Sequence, residues 1–523
     1  RTIVKIAITS SVVLLCSGFA LYSFFRLSAA EGQKDFNLYE LVPSTTSAVF
    51  VTDDVLEFVA EVDELTCSKN QQYLHVSKLF SYLKQSLYAL SEDTPHGLSR
   101  QMNQMLISFH EPDNERNQVL YCRLGEGDKE LIDRFVQKYI SSLYPPKTFD
   151  YKGEKIIIYP MADGDFLACY LTSGFMVLSF QKKLIEEVID TYKKGDSLAD
   201  DPAFMQINAP KKSRAVATIY TRVNGMIGWT EFDMKMKDDY VYFTGVSHDP
   251  DTCIAFINQL RQQESVKGFP GEVLPSTTFY FSKQSVTDWN SLLAYGDSRE
   301  YIPAGVDDDS GMQERNREIS RYLMENTGHD LVTCLFQRED TLRDAASVLS
   351  LSVPDVTEAE RMMRSLTNTA SAVERHKNPR ITFCYTVNKA YLVYRLPQTT
   401  LFEQLTSFAE PTLDVYAAFY GGRLLLAPDA DALAHYIRQL DKGEVLNGAM
   451  VYQTGMDHLS DSYHFMLMAD FDHIFQQSEN HVRFVPDFFL RNADFFRHFT
   501  LFVQFACADG MVYPNIVLKY KLE

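Results

Sequence analysis

The feature that most constrains this chain is a stretch of sequence that occurs twice. Gly174–Phe204 and Gly422–Tyr452 share one plan, a short apolar run, a turn, an amphipathic helix and a glycine stop. The lead glycines and the closing glycines, Gly195 and Gly443, are separated by the same interval of 248 positions (422 − 174). A constant interval with a constant order of elements predicts the tandem duplication of one module.

Each copy of the helix has one apolar face, with apolar residues at the i, i+3, i+4, i+7 spacing of a helix packed on a core. The residues are Ile185, Val188, Ile189 and Tyr192 in the first copy and Leu433, Tyr436, Ile437 and Leu440 in the second. A glycine ends each helix, where it can adopt the left-handed conformation that satisfies the last carbonyls.

Further segments match around these two stretches. The first copy opens at Leu41–Thr46 and the second at Val273–Thr278, and each leads into a predicted strand. Hairpins, a capped helix and more hairpins follow in the same order, with Asp128 and Thr357 as predicted N-caps. A final hairpin turns at Asp509-Gly510, a favoured hairpin pair.

The pattern predicts an α+β fold with antiparallel sheets, because hairpins dominate and a regular βαβ rhythm is lacking. We expect one curved sheet in each copy, with helices packed on one face. The predicted organisation is an N-terminal transmembrane anchor with a short juxtamembrane stretch (1–35), a first repeat domain (36–263), a linker (264–272) and a second repeat domain (273–523).

A run of twenty uncharged residues, Ile6–Phe25, predicts the membrane anchor. As a helix it spans roughly 30 Å, the hydrocarbon thickness of a bilayer. Arg1 and Lys5 precede the run, which favours a cytoplasmic N-terminus and a large extracytoplasmic part. A cleaved signal peptide is the alternative, because Ser28-Ala29-Ala30 offers a cleavage site. A lipoprotein modified at Cys16 is a weaker alternative, since Leu15 is not the small residue it needs.

Charge excludes nucleic acid as a partner. The net charge of −19 repels phosphate, while nucleic-acid binding depends on Lys and Arg that neutralise it. Cysteines beyond the anchor form no C-x-x-C pairs and do not recur at matched positions, so we expect no metal knuckle and no old disulfide framework. One disulfide stays possible but unassigned. The chain has no N-x-S/T sequon, which favours a bacterial envelope.

Catalytic motifs are missing from the sequence. It contains no P-loop, no G-x-S-x-G and no H-E-x-x-H. Gly125–Asp128 is too short for a phosphate loop. Asp307–Gly311 resembles half of a calcium loop but lacks the closing Glu, and an acidic surface turn is the better interpretation. We therefore expect no cofactor, no metal and no catalytic residues.

The richest polar cluster lies near the C-terminus and contains His458, His464, Asp470, Asp472, His473 and His481. The run Asp470-Phe471-Asp472-His473 could supply a pair of metal ligands or an acid–base couple. The aligned residues of the first copy, Arg222–Gly225, carry no such chemistry. A surface role is therefore the preferred interpretation, and a site in one copy stays open.

The overall plan resembles a family of bacterial single-pass membrane-anchored proteins catalogued as a domain of unknown function. The likeness rests on the N-terminal span, on the Leu41–Thr46 approach to a strand, and on repeated strand–helix units that end in glycine. It implies an extracytoplasmic location and no activity.

Three functions follow as hypotheses. The first is a non-catalytic binding or scaffolding module of the bacterial inner membrane, periplasmic apart from its anchor, that engages another envelope protein. The second is a periplasmic lipid or lipoprotein carrier with an apolar cavity, prompted by the high Phe and Tyr content. The third is a hydrolase centred on Asp472 and His473.

Overall fold

The computed structural model describes most of the chain beyond residue 35. The described ranges are 36–70, 102–110, 116–125, 128–135, 144–161, 164–208, 215–222, 228–247, 255–298, 310–338, 345–369, 381–387, 389–406, 413–477 and 485–521. The predicted anchor, Ile6–Phe25, lies outside them, as does the predicted helix Gln71–Leu90. In the described part of the chain, no helix has the length and apolar character needed to cross a bilayer.

The described elements make an α+β fold dominated by antiparallel sheet. The strands are β1 (Ala48–Thr52), β2 (Met105–Phe109), β3 (Gln118–Arg123), β4 (Lys147–Tyr151), β5 (Glu154–Pro160), β6 (Phe166–Leu171), β7 (Phe175–Ser179), β8 (Ala217–Thr221), β9 (Thr230–Lys237), β10 (Tyr240–Ser247), β11 (Val266–Lys267), β12 (Thr278–Ser285), β13 (Asp330–Gln337), β14 (Ala345–Ser352), β15 (Ile381–Tyr385), β16 (Ala390–Arg395), β17 (Tyr416–Tyr420), β18 (Arg423–Ala427), β19 (Ser462–Tyr463), β20 (Phe465–Asp470), β21 (Phe499–Ala508) and β22 (Met511–Tyr520).

The helices are α1 (Val55–Glu64), α2 (Thr66–Lys69), α3 (Asp128–Phe135), α4 (Lys182–Lys194), α5 (Pro202–Ile207), α6 (Ala255–Arg261), α7 (Trp289–Ser298), α8 (Ser310–Asn326), α9 (Val356–Thr369), α10 (Leu401–Leu405), α11 (Ala430–Asp441), α12 (Met450–Met456), α13 (Phe471–Phe475), α14 (Asp487–Arg491) and α15 (Ala493–Phe496). Single 3₁₀ turns occupy Leu38–Leu41, Leu198–Asp200, Pro270–Glu272 and Leu446–Gly448.

The chain divides into two compact units. Unit 1 holds residues 1–64 and 73–235, and unit 2 holds residues 65–72 and 236–523. The predicted domain bounds, 36–263 and 273–523, stay a prediction. The predicted linker, residues 264–272, lies in unit 2 and contains β11 and the 3₁₀ turn Pro270–Glu272. Pro270 and Gly271 are buried there.

In unit 1 the sheet runs in the order β9-β8-β1-β2-β3-β7-β6-β5-β4, and every neighbouring pair is antiparallel. Alternate side chains point to opposite faces. Val49 joins the core beneath α4, together with Ile185, Val188 and Ile189. Its neighbour Phe50 points the other way and packs against Phe58 of α1, with ring centroids 5.1 Å apart. Both faces of the sheet are therefore covered.

In unit 2 the order is β10-β22-β21-β20-β12-β13-β14-β18-β17-β16-β15, again antiparallel throughout. Leu425 of β18 belongs to a core with α11 and α12, whereas Leu424 and Leu426 belong to a second core with α7, α8, α9 and α10. The expectation of helices on one face is thus wrong for both units. The uninterrupted apolar run at residues 424–427 of β18 is buried on both sides.

The structure confirms the predicted glycine stops and the final hairpin turn, but contradicts one of the predicted helix N-caps. Gly195 is left-handed at the end of α4, with φ of 72°, and Gly443 follows α11 with φ of 78°. The Asp509-Gly510 turn has positive φ at both positions and joins β21 to β22. The prediction of Thr357 as an N-cap is wrong, because Asp355 accepts the Glu358 N–H at 3.0 Å through its carboxylate.

The glycine stops provide a direct test of the helix ends. Gly195→Ala and Gly443→Ala each force a Cβ into a left-handed conformation and should lower the free energy of unfolding by about 1 kcal/mol. Gly174→Ala is the matched control, because Gly174 lacks a positive φ and an added Cβ would meet no atom within 4 Å. Thermal unfolding of the three variants measures this, and an equal loss in all three would contradict the assignment.

Candidate functional site

The polar cluster singled out in the sequence forms where β20 ends and α13 begins. Asp470 is the N-cap of α13, and its Oδ1 accepts the N–H of Asp472 at 3.1 Å. This cap holds the chain reversal that carries His473 into the first helical turn. His473 therefore lies three residues beyond Asp470, on the same side of the helix.

Asp470 is the centre of the charge pairs. Its Oδ2 lies 3.2 Å from Nδ1 of His473, and its Oδ1 lies 2.7 Å from Nζ of Lys521. The sequence paired His473 with Asp472, but the Asp472 carboxylate instead lies 3.6 Å from Nε of Arg497. The ring of Phe279 stacks on His473 at 6.0 Å. Lys521 is fifty-one positions from Asp470, and no local sequence signal marks it.

The electrostatics follow from these contacts. The Asp470 carboxylate raises the pKa of His473, although burial and Lys521 act in the opposite direction. Burial alone would raise the pKa of Asp470, but His473 and Lys521 outweigh it and hold that pKa below its usual value. The group is thus a carboxylate stabilised by Lys521 and, when its ring is protonated, by His473.

An Asp–His pair could act as a general base only with a substrate or nucleophile to deprotonate. Within the described ranges, no Ser, Thr or Cys side chain hydrogen-bonds to His473. Nor does any group of three His, Cys, Asp or Glu side chains there have the arrangement of a metal site. As observed, Asp470 caps a helix and pairs with Lys521 as well as with His473.

The other histidines of the cluster have separate neighbours. His464 is buried, and its Nδ1 accepts the N–H of Cys507 at 3.1 Å. His458 contacts Tyr240 and Tyr242, with its ring centroid 4.7 and 5.1 Å from theirs. His481 lies outside the described residues, as do positions 307–309 of the acidic turn and 126–127 of the short glycine loop.

Thiol chemistry finds no support in the described cysteines. Cys67, Cys122, Cys169, Cys334, Cys384 and Cys507 are all unpaired, and all except Cys507 are buried. Burial raises the pKa of Cys122 and of Cys169 to about 12, which keeps both thiols protonated. Cys253 lies outside the described residues.

Sequence reasoning missed a buried lysine in unit 2. Lys283 of β12 is only 7% exposed, and its ammonium donates to the carbonyls of Lys267 and Gly268 at 3.0 and 2.9 Å. Burial lowers the pKa of this lysine. The signal in the sequence is a lysine two residues after the apolar run Phe279–Phe281. The lysine fixes β11 and the turn after it, so its role is to position backbone.

A half-buried arginine in each unit likewise holds backbone. In unit 1, Arg222 donates to the carbonyl of Thr46 at 3.1 Å and stacks on Trp229 at 4.8 Å. In unit 2, Arg423 donates to the Ser350 carbonyl at 3.1 Å and pairs with Asp330 at 3.0 Å. These interior charges are satisfied by carbonyls and carboxylates, as buried charges must be.

The Asp470–His473 pair predicts a pH effect on stability. The folded-state pKa of His473 is raised, so its stabilising contribution is complete below about pH 6.5 and is lost as pH rises through the folded pKa. Titration of His473 by NMR should give a pKa above the ordinary value, and Asp470→Asn should lower it. Lys521→Met should raise it further, because a neighbouring cation is removed. A His473 pKa unmoved by Asp470→Asn would contradict the pairing.

Comparison with known proteins adds little about chemistry. No protein with a curated description matches the chain. Two solved structures of a protein called TP0453 match at low similarity. Crystal form I is 10% identical with a TM-score of 0.26, covering 43% of this chain and 83% of that one. Crystal form III is 11% identical with a TM-score of 0.27, covering 45% and 91%. Such values carry no argument about fold or function.

One family model matches part of the chain. It covers residues 98–238, and its description is "Protein of unknown function (DUF3352)". This match supports, for that region, the resemblance to a domain of unknown function; it leaves membrane anchoring and duplication as predictions. Residues 98–238 of this chain are thus similar to a domain family to which no activity is assigned.

Proposed function

We propose that the protein is a non-catalytic binding or scaffolding module that engages another protein of the cell envelope. The observation that supports this most directly is that the contacts of Asp470 stabilise the fold. Its carboxylate caps α13 and pairs with His473 and Lys521, so its hydrogen-bonding capacity maintains the fold. The interior cations Lys283, Arg222 and Arg423 hold backbone in the same way.

We further propose that the two units derive from one duplicated module. The strand order β8-β1-β2-β3-β7-β6-β5-β4 of unit 1 corresponds, element by element, to β20-β12-β13-β14-β18-β17-β16-β15 of unit 2. An isolated bridge joins Pro43 to Ser197 in one unit and Pro275 to Val445 in the other. These bridges connect the start of each copy to the residues just after Gly195 and Gly443.

Packing inside the two units follows the same plan. Phe204 and Tyr452, which are 248 positions apart, are both buried on the short helix after the glycine. Phe204 contacts Tyr39 with ring centroids 5.0 Å apart. At the corresponding place in unit 2, Gly271 donates its N–H to the Tyr452 hydroxyl at 2.9 Å. A second ring would not fit there, because a Cβ on Gly271 would lie 2.5 Å from the Tyr452 ring.

The proposed location is the bacterial inner membrane, with a cytoplasmic N-terminus and a periplasmic bulk. It is supported by the uncharged run Ile6–Phe25 and by the basic residues before it. The carrier hypothesis has less support, because aromatic side chains fill the cores. Phe204, for example, has the rings of Tyr39, Tyr220 and Trp229 within 5.0–5.2 Å.

Crosslinking in the native membrane, followed by purification of the full chain, tests the proposal. We expect one partner at fixed stoichiometry. Asp472→Asn with His473→Gln should leave partner yield and envelope phenotype unchanged, as should the control pair Asp431→Asn with His435→Gln on α11. Loss of phenotype in the first pair alone, with the partner still captured, would point to hydrolysis. A monomer without a partner would refute the binding role.

A further inference from the structure

The last strand of the unit 2 sheet, β15, has one edge on which no other strand lies among the described residues. Among the described strands it pairs only with β16. The Thr386 N–H donates to the Lys389 carbonyl at 2.8 Å, so the backbone groups of Thr386 face β16. Since these groups alternate along an antiparallel pair, Cys384 and Thr382 also face β16. The backbone groups of Ile381, Phe383 and Tyr385 therefore point outward.

One contact agrees with this direction. Nε of Arg438, on α11, donates to the Tyr385 carbonyl at 3.4 Å, so this carbonyl bonds to a side chain of the helix. The N–H groups of Ile381, Phe383 and Tyr385, and the carbonyls of the first two, have no such partner within the described residues. A row of free donors and acceptors on an edge strand is a template for another strand.

The same three residues carry exposed apolar side chains. Ile381 is 38% exposed, Phe383 52% and Tyr385 67%. Cys384, between them, is buried under α11, with Sγ 3.9 Å from the Ala434 carbonyl. The edge thus offers backbone pairing and alternate apolar side chains at once, which is the combination used in recognition by strand addition.

The corresponding edge of unit 1 is protected. Lys152 and Gly153 both have positive φ, as in a type I′ turn, so Tyr151 and Phe149 face β5 through their backbone groups. The outward positions of β4 are then Thr148 and Asp150. A charged residue at such a position is a common protection against unwanted pairing. Of the two edge strands β4 and β15, only β15 lacks a charged residue at its outward positions.

We infer that β15 is a docking site for an extended segment of another protein, which adds to the sheet as an antiparallel strand with apolar side chains at alternate positions. This inference rests on the proposed binding function and states which strand of the protein would bind the partner. Lys389, which is exposed, and Arg438, which is half-buried, lie at the C-terminal end of β15, where the N-terminal end of an antiparallel partner arrives. They favour a carboxylate there. A second copy of the chain is disfavoured, because each copy carries a net charge of −19.

Binding of a defined peptide to the full chain tests the inference. The probe is a capped, fluorescent heptapeptide with the sequence Glu-Thr-Val-Thr-Phe-Thr-Val, in which the apolar residues alternate with threonine. Anisotropy should show saturable binding. Phe383→Lys should weaken it at least about tenfold, or about 1.4 kcal/mol. The control Phe166→Lys changes a Phe that is 58% exposed in unit 1 and should leave binding unchanged.

A second variant tests the backbone contacts. Tyr385→Pro removes an outward N–H and no bond to β16, so the fold should persist while probe binding falls. Equal affinity of Phe383→Lys and Phe166→Lys would overturn the inference, as would probe-free dimerisation that Phe383→Lys abolishes. If the membrane partner is captured equally by wild type and Phe383→Lys, the docking site is wrong while the binding function stands.

Discussion

The structure depends on burying antiparallel sheets on both faces. In each unit neighbouring residues of one strand enter cores on opposite sides, as Val49 and Phe50 do in unit 1 and Leu424 and Leu425 do in unit 2. Burial of apolar area is the largest favourable term in folding, and a doubly covered strand gains it from almost every residue. The strand–helix–glycine pattern occurs in both units because the helix that follows the strand must return across the sheet to cover one face.

That requirement explains where the charged groups are. A doubly covered sheet leaves few positions for charge inside, and three charged groups show how backbone or an opposite charge satisfies them. Lys283 donates to two carbonyls, Arg423 binds Asp330 and a carbonyl, and Asp470 caps a helix between two cations. Removing such a group would leave an unpaired partner in the interior, which is costly. Polar residues that resemble a catalytic constellation in the sequence thus have a structural explanation.

Much of the fold could be predicted from local patterns, because apolar runs, glycine stops and the Asp509-Gly510 turn act over a few residues. The α+β class and the strands around Gly174 and Gly422 follow from them. Strand β4 was missed, since Lys147–Tyr151 alternates polar and aromatic residues and lies at an edge. His473 could have been assigned to Asp470 from the i, i+3 spacing, but Lys521 and the carbonyls bound by Lys283 depend on long-range register. The exposure of β15 likewise follows from its place at the end of the sheet.

The two units share a strand order, but their edge strands present different residues. At the same place in the order, β4 presents Asp150 outward while β15 presents Phe383. Amide hydrogen exchange over residues 381–387 measures the consequence most directly. In the native membrane, this segment should exchange more slowly than in the purified chain, while residues 147–151 exchange alike in both. Equal exchange of 381–387 in the two preparations would contradict the view that this protein works by binding through an open sheet edge.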